Sequence, residues 1–301
     1  MTRIAVFAYS DTGHACLRWL LDRGSEVVFV ATHADTPGEA VWFPSVAQLA
    51  RSRGIEPRIS DEPRDLLSSL RSLAPDLLFS FYYRHVLPEE LLRVPRLGSY
   101  NIHGSLLPKY RGRAPVNWAV ANGETKTGAT LHIMTSRPDS GDIVDQEEVA
   151  IGEEDTAFDV QRGVTAAAVR LLERNLARLE AGPAKTRPQD ESAATTFGRR
   201  RPEDGRIDWG RSAREVHDLV RAVTHPYPGA FTDIFGRKTY IWKTRLPGLA
   251  AHDNYPGEIR RQEGRLYVAC GDDHYLEILR LQPEGGEEED GAKLAAERAW
   301  A

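Results

Sequence analysis

An amide and an imidazole two residues apart, Asn101 and His103, close the extended stretch Ser99–His103. Alternate residues of a strand share a face, so the two side chains project the same way. They offer an uncharged N–H donor beside a ring whose unperturbed pKa lies near about 6.5, a group that exchanges protons at neutral pH. Alone, the triplet would serve equally well as a strand end with a hydrogen-bonded edge histidine. The residues that follow narrow the reading. The chain breaks at Gly104 and Ser105, passes Leu106-Leu107-Pro108 and enters a basic, glycine-bearing turn, Lys109-Tyr110-Arg111-Gly112-Arg113. Ala114-Pro115 then opens a helix, since proline is tolerated in a first helical turn. Farther on, Asp139 stands in Pro138-Asp139-Ser140-Gly141, which by itself reads as a turn aspartate bonded to its own backbone.

The elements that must carry these residues follow a regular alternation. Ile4–Ala8 is a nearly unbroken apolar run, as a parallel strand buried on both faces requires. Asp11 or Thr12 is placed to cap the next helix, whose Leu17, Leu20 and Leu21 recur at helical spacing before Gly24. Val27–Ala31 is a second strand, Ser45–Arg53 and Arg64–Leu73 are helices, and Asp76–Phe81 is a strand delivering Tyr82 to Leu87 at its carboxyl end. Two more strands follow, Gly128–Met134 and Ile143–Ile151, and Asp155-Thr156-x-x-Asp159 caps a helix running to about Ala181. This order predicts βαβ units in an α/β, doubly wound, Rossmann-like sheet, which binds ligands outside the carboxyl ends of its strands. The first turn, Tyr9–Gly13, lacks the G-x-G-x-x-G pattern and no Walker motif is present, which disfavours a dinucleotide. Lys185–Thr196 turns polar and aperiodic and reads as a linker between domains at 1–188 and 197–301. Ser212–Val223 is a helix, and short strands at 230–235, 239–243, 257–260, 266–270 and 275–281 predict a small β-barrel. Glu284–Gly291 reads as too acidic and glycine-rich to pack.

Composition removes several function classes. The chain has 301 residues, 41% hydrophobic and 28% charged, as in an ordinary soluble globular protein. A net charge of −5 draws it neither to nucleic acid nor to an acidic surface. No apolar run approaches a membrane span and no signal peptide precedes the first strand, so the protein reads as cytoplasmic. Cys16 and Cys270 each lie in an apolar pattern and read as buried free thiols. The nine histidines are scattered, and no zinc spacing is found, so no metal is expected.

Taken whole, Asn101–Pro115 resembles the signature of folate-dependent formyltransferases. The likeness extends over nearly the whole chain and weakens after about Gln282. It implies a formyltransferase fold followed by an OB-like domain, 10-formyltetrahydrofolate as co-substrate, and Asn101, His103 and Asp139 as the catalytic set. Formyl transfer to an amine is acyl transfer, which calls for a donor aimed at the developing oxyanion, worth roughly 3–4 kcal/mol in comparable sites. It also calls for proton handling near neutral pH, which His103 can supply; the division of acid and base roles between His103 and Asp139 is left open. The resemblance further implies folate contacts from the backbone of His85, Val86 and Leu87, from Arg113, and from Thr135, Ser136, Arg137 and Pro138.

Three acceptor classes use this scaffold: initiator methionyl-tRNA, glycinamide ribonucleotide, and amino sugars on nucleotide carriers. A tRNA enzyme needs a basic surface, yet Thr32–Trp42, where the tRNA enzymes are lysine- and arginine-rich, contains neither residue. The wording of the signature is most similar to the sugar N-formyltransferases. Among these it resembles the formyltransferase domain of the bifunctional polymyxin-resistance proteins, which implies UDP-4-amino-4-deoxy-L-arabinose as acceptor. Lys109, Arg111, Arg199, Arg200 and Arg201 are the candidates to meet a diphosphate. The expected partner is thus a nucleotide sugar, with no nucleic acid and no membrane. The alternatives are a tRNA formyltransferase, a formyltetrahydrofolate hydrolase and a non-catalytic folate-binding protein; the sequence leaves the oligomeric state open.

Overall fold

Ile4, Ala5, Val6, Phe7 and Ala8 are fully buried and make β1 (Arg3–Ala8) an interior strand of a seven-stranded sheet. The computed structural model describes residues 1–34, 41–234, 236–252 and 254–296. The chain divides into two units, the first comprising 1–115, 126–150 and 161–198, the second 116–125, 151–160 and 199–301.

In the first unit β1 is joined by β2 (Glu26–Thr32), β3 (Arg58–Ile59), β4 (Leu77–Phe81), β5 (Ser99–His103), β7 (Lys126–Ile133) and β8 (Ile143–Ala150) in the order β3-β2-β1-β4-β5-β7-β8; β6 (Arg111–Gly112) and β9 (Thr196–Phe197) pair separately. The pairs from β3 through β5 are parallel, whereas β7 runs antiparallel to both β5 and β8. The strand order reverses between β1 and β4, the switch point at which such sheets open a crevice. Helices α1 (Ser10–Asp22), α2 (Val46–Ser52), α3 (Leu67–Leu73), α4 (Glu89–Leu92), α5 (Pro115–Ala121) and α6 (Ala157–Ala181) follow the expected order. Ser45 caps α2 by accepting from Gln48 N–H, and Thr156 with Asp159 caps α6 as the sequence implied.

Two local expectations are corrected. Neither Asp11 nor Thr12 caps α1: the helix starts directly after β1, with Tyr9 at its N-cap and no side-chain cap. Asp11 instead accepts from Ser10 and Thr165, and the buried Thr12 hydroxyl lies 2.7 Å from that of Thr165, so tertiary partners on α6 have claimed both groups. The polar stretch Lys185–Thr196 is not a free linker, because Arg187 pairs with Ile143 through two backbone bonds and β9 lies parallel to β6.

In the second unit α7 (Ala213–Val223) is capped by Ser212 and Glu215 in a reciprocal box. Its sheet orders β10 (Ala230–Ile234), β11 (Arg237–Arg245), β14 (Tyr275–Pro283), β13 (Arg265–Ala269) and β12 (Ile259–Gln262), all antiparallel, with β15 (Glu289–Asp290) on β14. The strands that the sequence placed in a small β-barrel form this antiparallel sheet; Phe235 lies outside the described residues, as do 35–40. The acidic segment is an exposed loop over Glu284–Glu288, as the sequence implied, with Glu288 meeting Arg280 and His225 and Glu284 meeting Lys238; only Glu289–Asp290 departs from it, forming β15. Both cysteines are free and buried, and burial pushes each thiol up, that of Cys270 to about 12.

Segment 151–160 is held within the second unit by Arg221 on α7. Its guanidinium pairs with Asp218 at 2.7 Å and donates to the carbonyls of Gly152 (3.3 Å) and Asp155 (2.9 Å), with both charged residues almost fully buried. Truncating one partner of such a pair leaves an uncompensated buried charge, at a cost of about 3–5 kcal/mol. Arg221→Leu is therefore expected to lower the thermal midpoint by several degrees and the joint variant Asp218→Leu/Arg221→Leu to recover part of it; a single variant as stable as wild type would show the pair to be dispensable.

Candidate active site

β5 ends at the carboxyl edge of the sheet beside the switch point, and its alternation sends Asn101 and His103 to one face while Ile102 enters the core. His103 is buried, with Nε2 2.7 Å from the carbonyl oxygen of Tyr110. A ring nitrogen in that position carries the hydrogen, which leaves Nδ1 as the exchangeable site. Nδ1 faces Oδ1 of Asp139 at 3.5 Å.

A third ring completes the group. His132 on β7 is the registered partner of Asn101 across the antiparallel pair. Its Nδ1 donates to the carbonyl of Ile133 at 2.9 Å, so Nε2 is the acceptor for Asn101 Nδ2 at 3.0 Å. The same Nε2 lies 3.7 Å from Asp139 Oδ1. Asn101 is thereby oriented by one of its two amide hydrogens, and the other remains outside that bond.

Asp139 lies in the loop between β7 and β8 with a left-handed backbone (φ 55°), a conformation that aspartate tolerates better than most side chains. Its Oδ2 accepts from Gly112 N–H at 2.9 Å. Gly112 itself has φ 97°, and a Cβ there would sit 2.3 Å from the carbonyl oxygen of Phe197, so no other residue fits without moving β9. Burial works to raise the Asp139 pKa. The neighbouring His103 and His132 and the Gly112 N–H outweigh it and hold the carboxyl well below the usual range. The result is a carboxylate biased toward the ionised form and facing two imidazoles. Of eight non-glycine residues with positive φ among those described, Ser10 opens α1 directly after β1, Tyr82, Tyr110 and Ala114 lie in the segments that follow β4 and β5, and Asp139 lies in the loop after β7.

The other candidates are distributed as follows. Val86, Leu87 and Ser136 line one cavity of about 220 Å³ with Glu62, Arg64, Pro88 and Glu89, which brings two of the three expected folate segments together. Val86 is 59% exposed there. Arg113 donates to the carbonyl of Arg84 at 2.6 Å, at the start of the His85–Leu87 segment. Thr135 and Ser140 both donate to the carbonyl of Arg137, shaping the loop that carries Pro138 and Asp139. Lys109 is exposed at its turn. Arg111 is 2% exposed and fully engaged with Gln189 and Glu191, so it is a buried structural cation with no open face for a diphosphate. Arg199, Arg200 and Arg201 begin the main run of the second unit; Arg200 stacks on Trp118 at 4.3 Å and donates to Asp204 O, and the backbone of Arg201 donates to the Asp204 carboxylate.

Sequence reasoning missed His132 and Gln189. The signal for His132 was a histidine inside a predicted strand that would hairpin back beside β5; its register with Asn101 was not readable.

Three possible metal ligands, His33, Asp61 and His85, lie within 4.8 Å of one another next to the His85–Leu87 segment. His33 Nε2, however, accepts the Arg84 N–H at 2.9 Å, which places the proton of the neutral ring on Nδ1, the nitrogen facing Asp61. A metal on Nδ1 would drive that proton onto Nε2, against the Arg84 amide hydrogen. The donor set therefore does not suit a metal. Burial, followed by the nearby His85 and Arg84, lowers the His33 pKa to about 4, and the ring stacks on Tyr83 at 4.0 Å.

A family model for "Formyl transferase" matches residues 2–176, and one for "Formyl transferase, C-terminal domain" matches 200–299. An α/β sheet flanked by helices and followed by an antiparallel C-terminal unit is thus the architecture of a formyltransferase, and this chain belongs to the formyl transferase family. Several solved structures share the fold. WlaRD, a sugar 3N-formyltransferase determined with dTDP and 5-N-formyl-THF, is 20% identical with a TM-score of 0.72, covering 92% of this chain and 97% of its own. The N-formyltransferase of Helicobacter canadensis, with folinic acid and dTDP-3-aminofucose, is 21% identical with a TM-score of 0.74, covering 92% and 99%. A sugar N-formyltransferase from Shewanella sp is 22% identical with a TM-score of 0.64, covering 80% and 96%.

The His33 shift has a stability consequence. The unfolded ring takes a proton near its ordinary value of about 6.5, whereas the folded ring resists until about 4. The unfolded state thus binds more protons across that interval, and His33 costs stability progressively as pH falls through it. His33→Gln, which cannot titrate, should show a shallower loss of thermal midpoint between neutral pH and about pH 4.5; parallel curves for the two proteins would contradict the shift.

Proposed function

We propose that this enzyme transfers the formyl group of 10-formyltetrahydrofolate to the amine of a nucleotide-linked amino sugar. UDP-4-amino-4-deoxy-L-arabinose, the acceptor implied by the signature, is the first to test. The observation that carries the proposal is the partly buried Asp139 carboxylate facing His103 and His132 beside Asn101, at the carboxyl end of β5. The solved relatives of the same fold that hold folates and dTDP or a dTDP-sugar add support. The charge of −5 weighs against a tRNA acceptor.

The chemistry follows from the donor set. The amine nitrogen attacks the formyl carbon, forming the new C–N bond and moving negative charge onto the carbonyl oxygen. The second amide hydrogen of Asn101 is the neutral donor for that oxygen. When the bond to the folate nitrogen breaks, the proton shed by the amine ends on the leaving nitrogen. His103 Nδ1 is the site through which that proton passes, and Asp139, ionised throughout, stabilises the imidazolium in between. His132 keeps Asn101 turned toward the reacting carbonyl. The cavity shared by Val86, Leu87 and Ser136 is proposed to take the pterin end of the folate, and His85, Arg113, Thr135, Arg137 and Pro138 are the further proposed folate contacts. Lys109 is the first-unit cation proposed to meet a diphosphate.

Tetrahydrofolate release should require an amino-sugar nucleotide when UDP-, dTDP- and GDP-linked 3- and 4-amino sugars are compared with charged initiator tRNA. Turnover with the tRNA alone would overturn the proposal, as would release with water as the only acceptor. With the best acceptor, Asn101→Ala and His103→Ala should each lower kcat by at least about a hundredfold with folate affinity retained. Near wild-type turnover in either would remove that residue from the mechanism.

A further inference from the structure

We propose that Gln189 is a positioning residue for Asp139 and that Arg111 fixes Gln189 in the required orientation. The inference rests on the formyltransferase reading of the Asn101–His103–Asp139 site and adds to it two residues from outside the group that meets substrate.

The side chain of Asp139 is held by Gly112 and faces two histidines, but its backbone is held from elsewhere. Gln189 Nε2 donates to the carbonyl of Asp139 at 2.9 Å and to that of Gly141 at 2.7 Å. Both hydrogens of its amide are spent on the two carbonyls that bracket Ser140, so the loop is clamped on either side of its tip. The Oε1 end accepts from Arg111, through Nε at 3.2 Å and Nη2 at 2.7 Å. Only the amide oxygen can face a guanidinium and only the amide nitrogen can face two carbonyls, so the orientation of Gln189 is unambiguous. Arg111 in turn forms a bidentate pair with Glu191, at 3.0 and 2.6 Å, and Arg137 reaches the same carboxylate at 3.2 Å.

The circuit closes on adjacent residues. Arg111 orients the amide that grips the Asp139 backbone, and Gly112, next in sequence, donates its N–H to the Asp139 carboxylate. Both lie in β6, which pairs with β9 just beyond Gln189 and Glu191. Asp139 in a left-handed conformation is the kind of strained residue that persists only when its surroundings over-determine it. The clamp supplies that determination, and it comes from a polar stretch some fifty positions downstream (|i−j| = 50 for Gln189 to Asp139).

Gln189→Glu separates positioning from folding. The carboxylate still accepts from Arg111, so the buried cation keeps its partners, but it has no hydrogen for either carbonyl. This variant should retain a thermal midpoint close to wild type while kcat falls roughly tenfold to a hundredfold, the range expected for a displacement of about 1 Å, with both KM values within about threefold. If Gln189 acts through Asp139, the loss vanishes when Gln189→Glu is introduced into an Asp139→Ala background, because no carboxylate remains to be placed. An equal loss in both backgrounds, or wild-type kcat in Gln189→Glu, would overturn the proposal. If wild type proves inert with every acceptor, the functional reading alone has failed. The clamp is then judged by amide hydrogen exchange over residues 139–142: faster exchange in Gln189→Glu supports it, and unchanged exchange overturns it.

Discussion

A largely desolvated carboxylate set against two buried imidazoles is costly to assemble, and the first unit is arranged around that cost. Desolvation alone would neutralise Asp139, and a neutral carboxyl could not support an imidazolium. The Gly112 N–H on one oxygen favours the ionised form, and the rings of His103 and His132 facing the other favour it when they carry charge. Each of these comes from a separate strand: His103 from β5, Gly112 from β6 and His132 from β7. The order β4-β5-β7 is what brings two of them side by side. The reversed strand direction of β7 places His132 opposite Asn101, where a parallel neighbour would have offered a different register.

The constraint explains several features that look unrelated in the sequence. The turn Lys109–Arg113 carries a glycine where β9 presses against it, because the N–H of that residue must reach the carboxylate. Tyr110 presents its carbonyl to His103 and stacks its ring on Phe197 at 5.0 Å, so the loop that sets the histidine tautomer is braced by the segment following α6. The tautomers of the two histidines are opposite, with Nε2–H on His103 and Nδ1–H on His132, and each is dictated by a backbone carbonyl. One ring therefore offers a proton-exchange site to Asp139 and the other an acceptor to Asn101. This division gives each side chain one task.

Much of the frame was legible because it rests on local periodicity. The apolar run Ile4–Ala8, the Ser212–Glu215 cap and the alternation of Asn101 with Ile102 and His103 are short-range patterns with direct structural meaning. Asp139 was legible only through resemblance, since its own tetrapeptide reads as a turn. What stayed hidden depended on partners far along the chain. His132 matters because of a cross-strand register; Arg111 is buried only because Gln189 and Glu191 meet it from nearly eighty residues away (|i−j| of 78 and 80). Asp11 and Thr12 were read as caps because they sit where caps sit, yet α6 supplies better partners. The acidic segment before α8 (Gly291–Ala296) is solvated over Glu284–Glu288 as its charge implied; what its own charge did not show is the pairing with cations of β11 and β14.

The central claim is that Asp139 is an ionised carboxylate between two imidazoles of fixed and opposite tautomer. Nitrogen-15 NMR of the histidine rings tests it most directly. The account predicts that neutral His132 carries its hydrogen on Nδ1 and neutral His103 on Nε2, and that Asp139→Asn alters the Nδ1 resonance of His103 while leaving the His132 tautomer in place. The opposite tautomer at either ring, or a His103 resonance indifferent to Asp139→Asn, would contradict it.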